Sequence, residues 1–327
     1  MSANNAPLQL RNTITVCSGD EVLIDFGGAF GNSWTFNFRR PDGVSFSGGA
    51  NGSDNDQVRL PNVIDGSVNE GAWQATYTNP NGCSRTENFT IIVNPNPTII
   101  PYTRKTGGGW VAGTTVSVCE GESFSLGTQV NIQDDLVLTR PNGSTDNTTD
   151  GNSFFNFTNA TSAMAGIYTI RYTNANGCVG TENYTVTVNE LPDLAQYMSA
   201  NNAPLQLRNT ITVCSGDIVL MDFGGAFGND WTFTFRRPDG TNFSGGANDS
   251  SNDQIRLPNV FEGSLNEGVW EATYTNPSGC SHTENFTINV ETTSVGGTVS
   301  PANQAICLGT NNVPVIHTVS GQVGTVV

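Results

Sequence analysis

Met198–Asp217 reads MSANNAPLQLRNTITVCSGD, and Met1–Asp20 is the same string. The likeness continues with few changes as far as Val93 after the first copy and Val290 after the second. Near-copies of this length are duplicates of one folding unit, because a duplicated unit must bury its own apolar face. A divergent relative lies between them. VCEGESFSL (Val118–Leu126) matches VCSGDEVLI (Val16–Ile24), and LTRPNG (Leu138–Gly143) matches FRRPDG (Phe38–Gly43). GIYTIRYTNANGC (Gly166–Cys178) matches GAWQATYTNPNGC (Gly71–Cys83), and TENYTVTV (Thr181–Val188) matches TENFTIIV (Thr86–Val93). The chain therefore divides into repeat one (1–95), repeat two (96–190), repeat three (191–291) and the opening of a fourth (292–327). Asn94-Pro95-Asn96-Pro97 and Asn189–Pro192 are short proline-bearing connectors, stiff rather than loose. Met198 is internal, so its twin Met1 reads as a residue of the repeat, and the chain is expected to be a window on a longer protein.

Within a repeat the apolar residues alternate. In Trp34–Arg39, Trp34, Phe36 and Phe38 share one face, and Thr35, Asn37 and Arg39 the other. Trp73, Ala75 and Tyr77 alternate in Trp73–Thr78, as do Phe89, Ile91 and Val93 in Cys83–Val93. Arg11–Cys17, Val22–Phe26, Val44–Ser47 and Gln57–Val63 supply the other strands, with Pro61 marking the last as an edge or strand end. Pro41-Asp42-Gly43 and Asn79-Pro80-Asn81-Gly82 are turns, since proline fixes φ and glycine accepts positive φ. About seven strands with turn signals every 8–12 residues predict an all-β sandwich. Tandem sandwiches joined by short stiff connectors predict a rod on the order of 150 Å.

Composition agrees. Gly, Asn, Thr and Ser are abundant, and no amphipathic helix pattern appears. Acidic residues outnumber basic ones 29 to 13, with a net charge of -16, which argues against nucleic acid or an anionic membrane surface as partner. No apolar run is long enough to span a bilayer, and the first residues do not form a secretion signal.

Seven cysteines recur in order: one in V-C-x-G, one in N-x-x-G-C. Cys17 and Cys83, Cys119 and Cys178, and Cys214 and Cys280 lie 66, 59 and 66 residues apart, and Cys307 opens a fourth pair. One early and one late cysteine per repeat suggests bridges 17–83, 119–178 and 214–280, and with them an oxidising, extracellular setting. Each such bridge is worth roughly 4 kcal/mol in the chain-entropy model. The alternative is buried free thiols. A zinc site wants clustered ligands, and no C-x-x-C occurs.

The recurrent VCxG, RPxG, G-x-Y-T-x-x-Y-T-N-x-x-G-C and TENxTVxV motifs resemble the Ig-like repeats of long Bacteroidota cell-surface proteins, including gliding-motility adhesins of the SprB type secreted by the type IX system. The resemblance covers the three full repeats and the opening of the fourth. It implies a cell-surface tandem array, an N-terminal signal and a C-terminal sorting domain outside this stretch.

Candidate sites are few. Asp54 and Asp56 in NGSDND, with Asn51, and Asp249 and Asp253 in NDSSND, with Asn248, form oxygen-rich loops that suit Ca²⁺, as do Asp146 and Asp150 in repeat two. Asp54 is Ser251 in repeat three, and no EF-hand spacing is present. DFGGAFGN (Asp25–Asn32, again Asp222–Asn229) lacks the helix and lysine of a nucleotide loop and connects strands; Phe30 and Phe227 at its tip are candidate contacts for a partner or a neighbouring repeat. Trp110 has no counterpart in repeat three and is a candidate platform for a sugar ring. His282 aligns with Arg85, His317 is the only other histidine, and Glu87, Glu182 and Glu284 occupy one strand position in three repeats, so no catalytic constellation forms. The reading is a non-catalytic structural or adhesive repeat region, a stalk or filament that associates with further repeats of its own kind or assembles into a fibre. The alternatives are an array of weak carbohydrate- or ligand-binding modules that meets surface glycans, or the accessory region of a secreted enzyme.

Overall fold

The computed structural model describes the chain except residues 29, 31–32, 50–53, 129–135, 149–152, 226, 247–250, 293–297, 301–317 and 321–327. Three separate hydrophobic cores form, one in each repeat. Repeats one and two fall in one compact unit, Met1–Val188, and repeat three in a second, Asn189–Val327.

Repeat one holds β1 (Ser2–Ala3), β2 (Thr13–Cys17), β3 (Asp20–Asp25), β4 (Thr35–Arg39), β5 (Ser45–Ser47), β6 (Gln57–Val63), β7 (Gly71–Thr78) and β8 (Ser84–Asn94). One sheet has the order β1-β3-β6, the other β2-β8-β7-β4-β5. The first strand is thus split between the sheets: β1 pairs antiparallel with β3, and β2 pairs parallel with the last strand, β8. Asn4 and Asn5, both at positive φ, turn the chain out of β1. This is the immunoglobulin order, with a GFC-type sheet facing an ABE-type sheet. Alternation decides the faces as the sequence predicts. Phe36, Phe38, Trp73, Ala75, Phe89, Ile91 and Val93 are buried, and Thr35, Asn37 and Arg39 face out. β1 escapes the sequence pattern because two residues carry no period. β6, with Pro61, is an edge strand.

Two local devices recur. The indole Nε1 of Trp73 donates to Asn69 O at 2.9 Å and that of Trp270 to Asn266 O at 3.0 Å; in repeat two the Tyr168 hydroxyl makes the corresponding bond to Met164 O at 2.8 Å. The RPxG turn closes on a glycine: a Cβ on Gly71 would lie 3.2 Å from the Pro41 ring, and one on Gly166 2.9 Å from Pro141.

Repeat two holds β9 (Pro101–Lys105), β10 (Val111–Ala112), β11 (Thr115–Cys119), β12 (Phe124–Thr128), β13 (Leu136–Thr139), β14 (Thr145–Asn147), β15 (Phe154–Phe157), β16 (Gly166–Thr173) and β17 (Val179–Asn189), in sheets β10-β9-β12-β15 and β11-β17-β16-β13-β14. Repeat three holds β18 (Tyr197–Ala200), β19 (Gln206–Leu207), β20 (Thr210–Cys214), β21 (Asp217–Asp222), β22 (Thr232–Arg236), β23 (Asn242–Ser244), β24 (Gln254–Val260), β25 (Gly268–Thr275) and β26 (Ser281–Glu291), in sheets β19-β18-β21-β24 and β20-β26-β25-β22-β23. β20 pairs parallel with β26, as β2 does with β8. Beyond repeat three, Thr298–Ser300 and Thr318–Ser320 pair antiparallel. Among the described residues no helix is long and apolar enough to cross a membrane.

Candidate functional site

The parallel pairing of β2 with β8 decides where the cysteines lie. Cys17 ends β2 and stands in register with Asn94, the last residue of β8. Cys83 directly precedes β8, an 11-residue strand. At about 3.3 Å per residue the two cysteines of repeat one are roughly 35 Å apart, at opposite ends of the sandwich. A disulfide needs Cα atoms within about 7 Å, so Cys17 and Cys83 cannot bridge.

Cys17 is instead bonded to Cys178, 161 residues on, with a Cα–Cα distance of 5.4 Å. The bond crosses from repeat one to repeat two. Cys17 is presented by its turn: its N–H donates to Asp20 Oδ2 at 2.8 Å, and Ser18 N–H donates to Asn94 O at 2.9 Å. The connector is tied down beside it, with Asn96 Nδ2 donating to Ser18 O at 2.8 Å. Cys178 arrives on the tip of the β16–β17 hairpin. Asn174 Oδ1 accepts the N–H groups of Asn176 and Cys178, both at 3.0 Å, which shapes that tip. The Cys178 Sγ is buried 3.8 Å from Asn94 O. Next to it, a Cβ on Gly180 would lie 2.0 Å from Pro97 O, so only glycine lets β17 approach the connector this closely.

The other cysteines follow the same geometry. Cys83 and Cys214 are free and exposed, whereas Cys119 and Cys280 are disulfide-bonded. None of the expected within-repeat bridges forms: Cys17 takes Cys178 in place of Cys83, which removes the partner expected for Cys119, and free Cys214 is not the partner of Cys280. In repeat three the hairpin tip again lies on its connector, with the Cys280 Sγ 3.9 Å from Asn189 O and Asn276 Nδ2 donating to Glu190 O at 3.4 Å. Cys307 lies outside the described residues.

The remaining candidates are placed as follows. Phe30 is not a free tip: its ring sits 5.2 Å from Trp34 and 5.1 Å from Phe36, packed on the core of repeat one. Phe227 repeats this against Trp231 and Phe233, at 5.0 and 5.1 Å. Burying the ring frees apolar area from water, and the preceding glycines make room, since a Cβ on Gly28 or Gly225 would strike the ring at 2.6 Å. Trp110 is half exposed, with the Arg104 guanidinium 4.9 Å over its ring and Phe154 at 5.6 Å. Asp249, Asn51, Asn248 and Asp150 lie outside the described residues. Asp54 is exposed, and Asp146 is engaged by Arg140 at 2.5 Å. Asp253 is buried beside Asp222, and burial, with that second carboxylate, raises its pKa above the ordinary value. Among the described residues no group of three His, Cys, Asp or Glu side chains could hold a metal ion. Asp42 is held below the ordinary carboxylate range mainly by the Val44 N–H, and burial pushes the Tyr274 hydroxyl up to about 12.

The sequence did not reveal Gly180, Asn94 or Asn174 as junction residues. Their one available signal was the switch at a single hairpin position from Arg85 to Gly180 to His282.

No protein-family model matches the chain, and no curated protein matches it. Solved structures similar to it include the insect immune protein hemolin, at 10% identity over 86% of this chain and 98% of that one, with a TM-score of 0.30. The N-terminal four Ig domains of Dscam1 isoform 8.4 match at 12% identity over 86% and 71%, TM-score 0.24, and Sidekick-1 immunoglobulin domains 1–5 at 12% over 86% and 58%, TM-score 0.21. The Ig-like assignment stands on the strand pairing above.

Proposed function

We propose that this chain is a non-catalytic, extracellular repeat region that acts as a stalk or filament and resists extension because its repeats are bridged to their neighbours. The single observation that supports this reading is the Cys17–Cys178 bond between repeats one and two. A bridge inside a sandwich stabilises that sandwich alone. A bridge across a junction gives tension a covalent path that bypasses the enclosed chain, so the folded strands within it are not peeled apart. A bond of this kind at each junction would make the array a covalent ladder.

Single-molecule pulling from the chain ends tests this. With the Cys17–Cys178 bond intact, the 160 residues it encloses contribute no extension. After reduction they become available and add about 550 Å of contour at roughly 3.4 Å per residue. Identical extension traces before and after reduction would defeat the reading.

A further inference from the structure

Asp25–Gly28 in repeat one and Asp222–Gly225 in repeat three are the same four residues in different surroundings. In repeat three, the chain leading to Met198 lies across the end of the sandwich. Tyr197 pairs in register with Asp222. Its ring covers Gly224, where a Cβ would lie 2.6 Å from a ring carbon. Gln196 Nε2 donates to Glu284 Oε2 at 2.7 Å, and the Tyr274 hydroxyl donates to Glu284 Oε1 at 3.0 Å while accepting the Leu194 N–H at 3.1 Å. Leu194 packs on the core, and Phe223 and Tyr274 are sealed, at 2% and 0% exposure. Above this plug lies a shallow hollow of about 530 Å³ bordered by Gln196, Arg208 and Glu284, with no core residue in its lining.

Repeat two shares the connector's place and backbone register. Ile99 is buried in its core, and Tyr102 pairs with Gly127 in the register that Tyr197 takes with Asp222. Both segments read apolar-x-x-Tyr: Ile99-Ile100-Pro101-Tyr102 and Leu194-Ala195-Gln196-Tyr197.

In repeat one the seat is open. Phe26 and Tyr77, the counterparts of Phe223 and Tyr274, are only partly buried, and nothing lies within 4 Å of a Cβ placed on Gly27. A cavity of about 490 Å³ opens there, lined by Ile24, Asp25, Phe26, Ala75, Glu87 and Phe89, with Met1 at its rim.

We propose that this groove is a strand-acceptor seat whose occupant is an apolar-x-x-Tyr connector joined directly to Met1, entering from a preceding repeat. Its tyrosine covers Gly27, its polar neighbour bonds Glu87, and its apolar residue fills the space over Phe26 and Tyr77. The inference rests on the array reading and deepens it: each connector is keyed into the repeat it enters, while the disulfide ties that repeat back to the one before.

The test is made on the full, oxidised chain carrying Leu-Pro-Asp-Leu-Ala-Gln-Tyr ahead of Met1, compared with a Gly-Ser segment of equal length. Hydrogen exchange of the β1 and β3 peptides is the readout. The native-type connector is expected to slow exchange at least about tenfold, the scale of one or two hydrogen bonds with ring burial. That gain should fall away when its tyrosine is replaced by alanine, and again in Glu87→Ala. Equal protection from both connectors would overturn the proposal, as would protection that survives both replacements. Equal protection from the separate peptide at micromolar concentration would overturn the assignment to a connector in cis. Failure of the stalk reading in pulling would leave this readout unchanged, so the two ideas fail separately.

Discussion

Replacing Cys178 in repeat two should destabilise repeat one. When repeat one unfolds alone, the bridge holds Cys17 at the junction where Cys178 meets Asn94. The 77 residues from Cys17 to Asn94 are then a closed loop in the unfolded state. The chain-entropy relation assigns such a loop roughly 4.5 kcal/mol at 25 °C. Cys178→Ser removes that closure while leaving every side chain of repeat one in place. Hydrogen exchange by mass spectrometry reads the consequence strand by strand in the full chain. Peptides from β7 and β8, which exchange through global opening of repeat one, should speed up by about three orders of magnitude, at 1.4 kcal/mol per decade. Cys17→Ser should match it, and Cys83→Ser should leave these peptides within a factor of about two. Normal exchange in Cys178→Ser with fast exchange in Cys83→Ser would refute the reasoning, because it would place the bridge inside the repeat.

Three further outcomes follow from named contacts. Gly180→Ala puts a methyl group against Pro97 O and should lower the unfolding free energy by about 1–3 kcal/mol in urea melts, whereas Gly109→Ala, with nothing within 4 Å of the new Cβ, should stay within about 0.5 kcal/mol. Trp73→Ala empties the centre of the first core, where the ring is fully buried, and should cost about 3–5 kcal/mol by the same measurement. Asp253 has a raised pKa, so the folded state binds its proton more tightly than the unfolded state, and stability falls as pH rises from the ordinary value of 3.8 through the folded value. Asp253→Asn should therefore be more stable than the parent at neutral pH in thermal melts, with the advantage vanishing below pH 3.8.

What the sequence could convey depended on what is local. Alternation places Phe36, Phe38, Trp73, Ala75, Phe89, Ile91 and Val93 inside, because a strand's period of two is written in consecutive residues. The RPxG turns are legible for the same reason. The disulfide partners are not, because they follow from a long-range fact: β2 lies parallel to β8, which carries Cys17 to the far end of the sandwich from Cys83. Regular spacing made the pairs within each repeat look natural, and only the direction of one strand excludes them. Phe30 and Phe227 read as loop tips, yet each ring packs back onto the core over a glycine, Gly28 or Gly225, whose missing Cβ leaves room for it. Tyr197 does not read as a seal in the sequence, since the Gly224 it covers comes from a loop distant from it along the chain.

Peptide mapping of the full chain by mass spectrometry, digested without reduction and with thiols blocked, tests the central claim most directly. The cross-repeat account predicts a linked pair of peptides containing Cys17 and Cys178, with Cys83 and Cys214 recovered as blocked thiols. A linked pair containing Cys17 and Cys83 would contradict it.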